Sequence, residues 1–215
     1  METIDIYPNS LKDSIVQIQQ AASIIKASGT VVFPTDTVYG LGANALDEFA
    51  IGRIFTIKKR PKQKPLPILV SNIEMAKKYT CIDSKVEQAL NQLWPGPITC
   101  ILRKKDNLPN ILTSGKNTIG IRVPDNKIAL ELIKKIGQPI TGTSANISKA
   151  KECHSSEEVI KQFKDQFHKP DLILDAGQIE KSSRPSTIID LTTPKPKILR
   201  IGPVTKKELT QILKS

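Results

Sequence analysis

The sequence predicts an α/β protein with a mixed sheet of parallel and antiparallel strands flanked by helices. Two observations lead to this prediction. Segments with apolar residues at helical spacing alternate with short runs rich in β-branched residues. Several of these runs follow one another directly, which a purely parallel, doubly wound sheet does not allow. No internal repeat and no Gly/Ser-rich linker divides the chain.

The first half of the chain begins with an amphipathic helix. Its apolar residues recur every three or four positions and so share one face; they are Leu11, Ile15, Ile18, Ala22 and Ile25. Ser10 is placed to cap this helix and Gly29 to end it. Next come a strand over Thr30–Phe33, a loop rich in Thr and Gly, a helix over Glu48–Ile57 and a strand over Leu66–Val70. Pro67 predicts that this last strand lies at an edge or pairs irregularly.

In the second half of the chain, capping patterns predict where three helices begin. A Ser or Thr followed three residues later by Glu is the pattern of a capping box. It occurs where we predict helices beginning at Ser84, Ser155 and Thr205. The second of these is expected to end near Phe167 and the third to run to Ser215. Another helix is predicted over Asn126–Ile136, where Gly137 stops it.

The strands of the second half are short and apolar. A turn at Trp94–Pro97 precedes the first of them. The predicted strands are Ile98–Leu102, Thr118–Val123, Pro139–Thr141, Leu172–Leu174, Thr187–Leu191 and Ile198–Ile201.

Composition excludes several classes of protein. At 215 residues, 39% of them hydrophobic, the chain can bury a core without disulfides or metal, and we expect one domain over 1–215. The longest apolar runs span only a few residues, and the acidic N-terminus lacks the apolar segment of a signal peptide. Three widely spaced cysteines and two histidines argue against a zinc site or a disulfide framework. We therefore expect a cytoplasmic protein with no membrane contact and no protein-bound metal.

Positive charge is the most informative bulk property. The chain has 32 Lys and Arg against 21 Asp and Glu, a net charge of +11. Six basic residues fall within twelve positions that hold no acid: Arg53, Lys58, Lys59, Arg60, Lys62 and Lys64. This excess indicates a nucleic acid or an anionic ligand such as a nucleotide. Two plainer readings stay open, a solvated basic surface and cations that complement the end of a helix.

The common nucleotide-binding and hydrolase motifs are missing. No G-x-x-x-x-G-K-[ST], G-x-S-x-G or H-E-x-x-H pattern occurs. Gly40–Ala45 fits G-x-G-x-x-A, but it does not form the immediate turn between a strand and a helix that a dinucleotide site needs.

Polar segments instead follow the predicted strands, where α/β proteins place their ligands. Arg122 ends an otherwise apolar strand, so we expect it to pair with a carboxylate of the protein or of a ligand. Thr141–Asn146 offers hydroxyls and backbone N–H groups suited to an anion. Each segment can also be read as an ordinary turn. The six segments are Pro34–Gly42, Ile54–Leu66, Thr118–Pro124, Thr141–Asn146, Ser183–Asp190 and Leu199–Pro203.

Taken together, these segments resemble the YrdC family, the threonylcarbamoyl-AMP synthases. The matching pieces are PTDTVYGLGANA, a K-x-R-P…K-P-L stretch, WPGPIT, TIGIRVPD, the S-A-N of GTSANIS, RPSTIIDL and ILRIGPV. They occur in the family's order from about residue 12 to 214. The resemblance implies a twisted α/β sheet of the YrdC-like (DHBP synthase-like) fold around a concave basic cavity. It also implies the single-domain form, with no additional C-terminal domain.

The resemblance further implies a reaction. L-threonine, bicarbonate or CO2, and ATP would give threonylcarbamoyl-AMP and pyrophosphate. A transferase would then pass the threonylcarbamoyl group to adenosine 37 of tRNA. The implied partners are therefore this transferase machinery and, as a candidate, tRNA as a double-stranded RNA. Mg²⁺ would be held mainly through the ATP phosphates.

The resemblance also implies which residues of this sequence occupy the family's binding positions. Those that match threonine-binding positions are Thr37, Arg122, Ser144 and Ser186. Those that match ATP-binding positions are Lys58, Arg60, Lys64, Thr118, Asn146, His154 and Arg200. Within this set Lys58 and Arg60 are the expected catalytic residues, since cations there offset the charge that develops during attack on the α-phosphorus.

Two departures and two alternatives accompany this interpretation. Leu69 stands where some relatives carry a His that faces threonine, and Asp36 stands where many carry Glu. Leu69 therefore leaves open how tightly threonine is held.

One alternative is a non-catalytic module of the same fold that binds tRNA or rRNA. The other is a carbamoyltransferase-type domain of a hydrogenase-maturation protein, although the zinc-finger and acylphosphatase modules that normally accompany it are not found in the sequence.

Overall fold

A computed structural model describes residues 1–213 and arranges them as two sheets with helices packed around them. Its helices are α1 (Ile15–Lys26), α2 (Glu48–Lys58), α3 (Ile73–Tyr79), α4 (Ser84–Leu93), α5 (Asn110–Thr113), α6 (Lys127–Ile136), α7 (Ser156–Phe163) and α8 (Lys206–Ile212). Its strands are β1 (Glu2–Asp5), β2 (Val31–Phe33), β3 (Gly40–Gly42), β4 (Ile68–Leu69), β5 (Ile98–Arg103), β6 (Thr118–Arg122), β7 (Ile140–Thr141), β8 (Thr143–Ser144), β9 (Leu172–Asp175), β10 (Thr187–Asp190) and β11 (Lys197–Arg200).

Both sheets mix parallel and antiparallel pairs, as the sequence predicts. One has the order β1-β9-β2-β3-β8 and the other β11-β10-β5-β6-β4-β7. The larger buried cluster joins apolar side chains of both sheets with those of α2 and α4. A second cluster packs α1 and α6 against β2 and β9. The predicted α/β class is therefore confirmed, with the strands divided between two sheets.

The segment 140–144 connects the two sheets. Ile140–Thr141 forms β7 at the edge of one sheet, and Thr143–Ser144 forms β8 at the edge of the other. Gly142 lies between them and donates its N–H to Pro67 O at 2.8 Å. Because the segment changes sheets here, Thr143 and Ser144 pair with β3 of one sheet and closely follow β7 of the other.

Pro67 does not mark an edge strand. β4 pairs parallel with β6 and antiparallel with β7, so it lies inside its sheet. Pro67 precedes the two-residue strand and needs no N–H in the ladder. The predicted edge position is therefore wrong, and β4 is a regular but very short strand that Pro67 precedes.

Helix α1 begins later than predicted. Leu11–Ser14 forms turns, and the helix starts at Ile15, so the expected cap at Ser10 is wrong. Ser14, the residue before the helix, uses its hydroxyl to accept from Tyr7 N at 2.8 Å rather than to cap the helix. At the other end the chain leaves the helix before Gly29, whose N–H donates to Ile24 O at 2.8 Å.

The three predicted capping boxes have different outcomes. Thr205 and Glu208 form a complete one at the start of α8. Ser155 accepts from Glu158 N at 3.3 Å as predicted, but α7 ends at Phe163 rather than near Phe167. Ser84 is not a cap, because Asp83 precedes it and accepts from Val86 N at 2.8 Å. The predicted end of α8 at Ser215 lies outside the described residues.

Several short elements were not predicted. Residues 40–42, expected in a loop, form β3 and pair antiparallel with β2. The remaining ones are β1, β8, α3 and α5, each seven residues or shorter. The strands β1 and β8 pair only with strands far away in the sequence, β9 and β3, and such contacts leave little local signal. No helix in the described part of the chain is long and apolar enough to cross a membrane.

Gly202 holds β11 close to β10, and we expect Gly202→Ala to destabilise the protein by about 1–3 kcal/mol. An added Cβ would lie against the Pro185 carbonyl oxygen and 2.6 Å from Thr187 N, both backbone atoms. Gly52, inside α2, has open space around the same position, so Gly52→Ala should stabilise by about 0.5–1 kcal/mol. Urea unfolding of both variants checks this pair. Equal stability for the two would contradict the packing described at Gly202.

Candidate active site

A cavity of about 350 Å³ is lined by residues from strands of both sheets and from the loops beside them. Its polar wall comes from the loop before β3, the segment after α2, β5, β6, β8, the segment before α7, and β10–β11. The polar side chains that line it are Thr35, Thr37, Arg60, Thr99, Arg122, Thr143, Ser144, Glu152, Ser186 and Arg200. A second groove, of about 1330 Å³, lies between α4 and the 191–196 loop and holds none of the predicted site residues.

Arg122 lies at the end of β6 and is only 6% exposed. Its guanidinium donates to Gly96 O at 2.9 Å, to Thr37 Oγ1 at 3.1 Å and to Asp36 Oδ1 at 2.5 Å. Burial lowers the pKa of this guanidinium, and the Asp36 carboxylate opposes the shift. The expected pairing of Arg122 with a carboxylate is thus found within the protein.

Asp36 is a site residue that the sequence reading did not assign to this ion pair. Its second oxygen, Oδ2, is buried without a hydrogen-bond partner among the described residues. The Trp94–Pro97 turn supplies another partner of Arg122, the carbonyl of Gly96. In the sequence, the apolar strand that ends at Arg122 predicts that this arginine has a carboxylate partner. It does not indicate which carboxylate that is.

The loop after β2 is held by its own hydroxyl groups. Thr35 Oγ1 accepts from the N–H groups of Thr37 and Val38 at 3.1 and 3.2 Å. It also lies 2.9 Å from Thr37 Oγ1. These bonds fix Thr37 beside Arg122, in the cavity wall.

Lys58 lies directly behind the cavity wall, at the end of α2. It is 2% exposed, and its ammonium donates to Ser144 O, to Asn146 O at 2.6 Å and to Asn146 Oδ1 at 3.3 Å. Ser144 Oγ in turn donates to Asn146 Oδ1 at 2.5 Å. Burial, together with the nearby charge of Arg60, lowers the pKa of Lys58 to about 7. Lys58 therefore ties α2 to the segment after β8 but is not itself a lining residue.

Ser186 and Arg200 form the opposite wall. Ser186 Oγ lies 2.8 Å from Thr99 Oγ1 on β5. Arg200 donates from Nε and Nη2 to Ser186 O at 3.0 and 2.7 Å. Arg200 stays exposed at one side; partial desolvation lowers its pKa, and Glu152 opposes this shift.

Arg60 follows α2 and is oriented by backbone carbonyls. Its Nε donates to Lys64 O at 3.1 Å and its Nη2 to Pro65 O at 2.8 Å. The guanidinium lines the cavity, and burial lowers its pKa. Lys64 contributes this carbonyl while its own side chain is exposed and does not line the cavity.

Three more of the expected residues, Thr118, Asn146 and His154, do not line the cavity. Thr118 begins β6, paired with Arg103 at the far end of that strand from Arg122. His154 is buried, with Nε2 3.0 Å from Ser183 O. Glu152, two residues before it, lines the cavity instead and was not singled out from the sequence.

The described residues contain no group of three or more His, Cys, Asp or Glu side chains that could hold a metal ion. The cavity wall presents three arginines and one glutamate. Its chemistry is therefore that of a binding site for anions and small polar molecules, with hydroxyl groups from four strands or loops facing inward.

Comparisons with known proteins point to one family. A family model named Sua5_yciO_yrdC and described as "Telomere recombination" matches residues 23–202. A threonylcarbamoyl-AMP synthase of Pyrococcus abyssi is 39% identical over 201 residues, which are 92% of this chain and 57% of that protein. The chain thus spans little more than half the length of this curated relative.

Solved structures give the same result. The crystal structure of Pyrococcus abyssi Sua5 complexed with L-threonine matches with a TM-score of 0.91 at 36% identity, covering 99% of this chain and 61% of that one. The crystal structure of Escherichia coli YciO matches with a TM-score of 0.86 at 29% identity, covering 97% of this chain and 100% of that one.

Proposed function

Because the chain belongs to the Sua5/YciO/YrdC family, we propose that it makes threonylcarbamoyl-AMP and pyrophosphate from L-threonine, bicarbonate or CO2, and ATP. One observation carries this proposal: the four residues expected to bind threonine, on four different elements, line a single cavity. They are Thr37, Arg122, Ser144 and Ser186. Relatives named threonylcarbamoyl-AMP synthase, and a relative's complex with L-threonine, support it.

The amino-acid end of the cavity is at Arg122. A guanidinium has five N–H donors, and three of those in Arg122 are bonded to Gly96, Thr37 and Asp36. The two that remain can take the α-carboxylate of threonine as a charge-assisted pair. The hydroxyls of Thr37 and Ser144 then face the rest of the amino acid.

The nucleotide end is formed by Arg60 and Arg200, with Lys58 behind the wall. In the proposed reaction a carbamate oxygen bonds to the α-phosphorus of ATP, and the bond from that phosphorus to the pyrophosphate oxygen breaks. A carbamate is already an anion, so the step needs charge stabilisation and alignment more than a proton transfer. Mg²⁺, which the phosphates of ATP would carry, would supply further neutralisation of the leaving pyrophosphate.

Leu69 is placed to contact the methyl group of threonine. It pairs with Arg122 across β4 and β6, is 4% exposed and lines the cavity. We expect Leu69→Ala to reduce the threonine-to-serine ratio of kcat/KM by roughly tenfold, since one methyl in an apolar pocket is worth about 1–3 kcal/mol. Leu69→Met keeps the volume and should keep the ratio. Steady-state kinetics with both amino acids decide this, and an unchanged ratio in Leu69→Ala would show that the methyl lies elsewhere.

The proposed function is tested by pyrophosphate release from ATP, Mg²⁺ and bicarbonate, with L-threonine, with L-serine and with no amino acid. Release that depends on threonine supports the synthase. ATP binding without release contradicts the proposed activity of this chain by itself. Salt-sensitive tRNA binding with neither ATP binding nor release would favour the RNA-binding module instead.

The proposal also covers what happens to the product and where in the cell the protein works. Threonylcarbamoyl-AMP is an activated acyl adenylate, so a transferase would pass its acyl group to adenosine 37 of tRNA. A cytoplasmic setting is supported by the cysteines, since Cys81, Cys100 and Cys153 are all free.

A further inference from the structure

Glu152 is the one acidic side chain lining the cavity within the described region. It is half-buried and shares the wall with Arg60, Arg122 and Arg200. A carboxylate in this position opposes the binding of an anion, because like charges at short range in a partly desolvated cavity repel strongly. Its presence therefore needs an explanation that a simple phosphate-binding pocket does not provide.

Within residues 1–213, no cation forms an ion pair with the Glu152 carboxylate. Its charge offsets part of the lowering that desolvation imposes on the pKa of Lys58 and of Arg200, so both cations lie within electrostatic range. However, Lys58 donates to Ser144 and Asn146, and Arg200 donates to Ser186. Across residues 1–213, no hydrogen bond or ion pair to the Glu152 carboxylate is found. The carboxylate is left available to a ligand in the cavity.

We propose that Glu152 makes the cavity select the metal-bound form of ATP over free ATP. This inference rests on the proposed function. A divalent cation on the phosphates lowers their negative charge and gives the carboxylate a partner, directly or through water. Mg²⁺ is commonly held by one or two carboxylates together with substrate phosphates. Since the described residues form no metal cluster of their own, the cation would arrive with the nucleotide.

The test compares ATP affinity in excess EDTA with that in excess MgCl2, at constant ionic strength and without threonine, by isothermal titration calorimetry. We expect the protein to bind the magnesium complex more tightly. Glu152→Gln should bind metal-free ATP more tightly than the parent does, so that the ratio of the two dissociation constants falls at least about tenfold. Glu152→Asp keeps the charge and should keep most of the preference. Mg²⁺ alone should show no saturable binding.

Glu48→Gln is the matched control, because Glu48 is exposed on the first turn of α2, outside the cavity. It should leave the ratio unchanged. If Glu152→Gln has the parent's ratio while both forms of ATP bind, the inference about Glu152 is overturned and the proposed function is not. If the parent binds neither form of ATP, the proposed function fails. Thermal melting shows whether each variant is folded, and Glu152→Ser replaces Glu152→Gln if that variant does not fold.

Discussion

Arg122→Ala should abolish threonine-dependent pyrophosphate release. The substitution removes the cation proposed to hold the α-carboxylate, and it also releases Thr37, whose hydroxyl accepts from the guanidinium at 3.1 Å. Loss of a charge-assisted, bidentate contact that aligns the substrate affects kcat as well as KM, because the amino acid is no longer positioned for reaction. The measurement is the same pyrophosphate assay, with threonine varied to saturation.

A loss of activity could also come from unfolding, so stability must be separated from catalysis. Arg122→Ala leaves Asp36 as a buried carboxylate without its cation, which costs about 3–5 kcal/mol. The double variant Asp36→Asn/Arg122→Ala removes the stranded charge and should recover most of that stability while staying inactive. Arg103→Ala, at an exposed position on β5, should leave both stability and activity close to the parent's.

Near-normal threonine dependence in the double variant would contradict the assignment of Arg122. Inactivity together with recovered stability is the result that a purely structural role of Arg122 does not produce. ATP affinity gives a further check. It should change little in either variant if Arg122 belongs to the amino-acid end of the cavity rather than the nucleotide end.

The parts of the fold and of the site that follow from local sequence were predictable. Arg122 at the end of an apolar strand predicts a buried ion pair, because a charge in such a position needs a partner. The capping box of Thr205 with Glu208 predicts the start of α8 from four residues alone. The family resemblance adds the side chains that share the cavity, since Thr37, Ser144 and Ser186 all line it.

The parts that depend on distant pairing were not predictable in this way. The change of sheets at Gly142 places Ser144 beside Lys58, and neither β7 nor β8 exceeds two residues. Glu152 and His154 are only two residues apart, yet Glu152 lines the cavity and His154 points to Ser183. Which of two neighbouring polar residues faces a ligand depends on the path of the backbone, which composition and spacing do not determine.

Lys58 should make nucleotide binding depend on pH. Its pKa is about 7 in the free protein, because it is desolvated and lies near Arg60. Phosphates in the cavity favour the charged amine, so binding should raise that pKa and take up a proton. Affinity for the magnesium complex of ATP is therefore expected to weaken as pH rises above 7, by up to about tenfold per pH unit. Calorimetry between pH 6.5 and 9, in two buffers of different ionisation enthalpy, measures both the affinity and the proton uptake.

Lys58→Met supplies the matched comparison. At pH 6.5 it should bind ATP more weakly because the positive charge behind the cavity wall is lost, by up to about 1.4 kcal/mol for each unit by which the nucleotide raises the pKa of Lys58. Its affinity should then follow only the ionisation of ATP itself, which the parent shares. A parent and variant with parallel pH profiles would mean that the ammonium does not sense the nucleotide and acts only on Ser144 and Asn146.

The pH dependence of the free energy of unfolding tests the Lys58 ammonium independently, and it should run in the opposite direction to that of ATP affinity. The unfolded chain keeps Lys58 protonated up to its ordinary pKa of 10.5, whereas the folded chain releases that proton above about 7. Between these values the unfolded state binds more protons, so the free energy of unfolding rises with pH, by up to about 1.4 kcal/mol per unit. Relative to Lys58→Met, the parent should therefore gain stability from pH 7 to pH 10 while it loses affinity for ATP. One buried amine with a lowered pKa predicts both trends, and a surface lysine predicts neither.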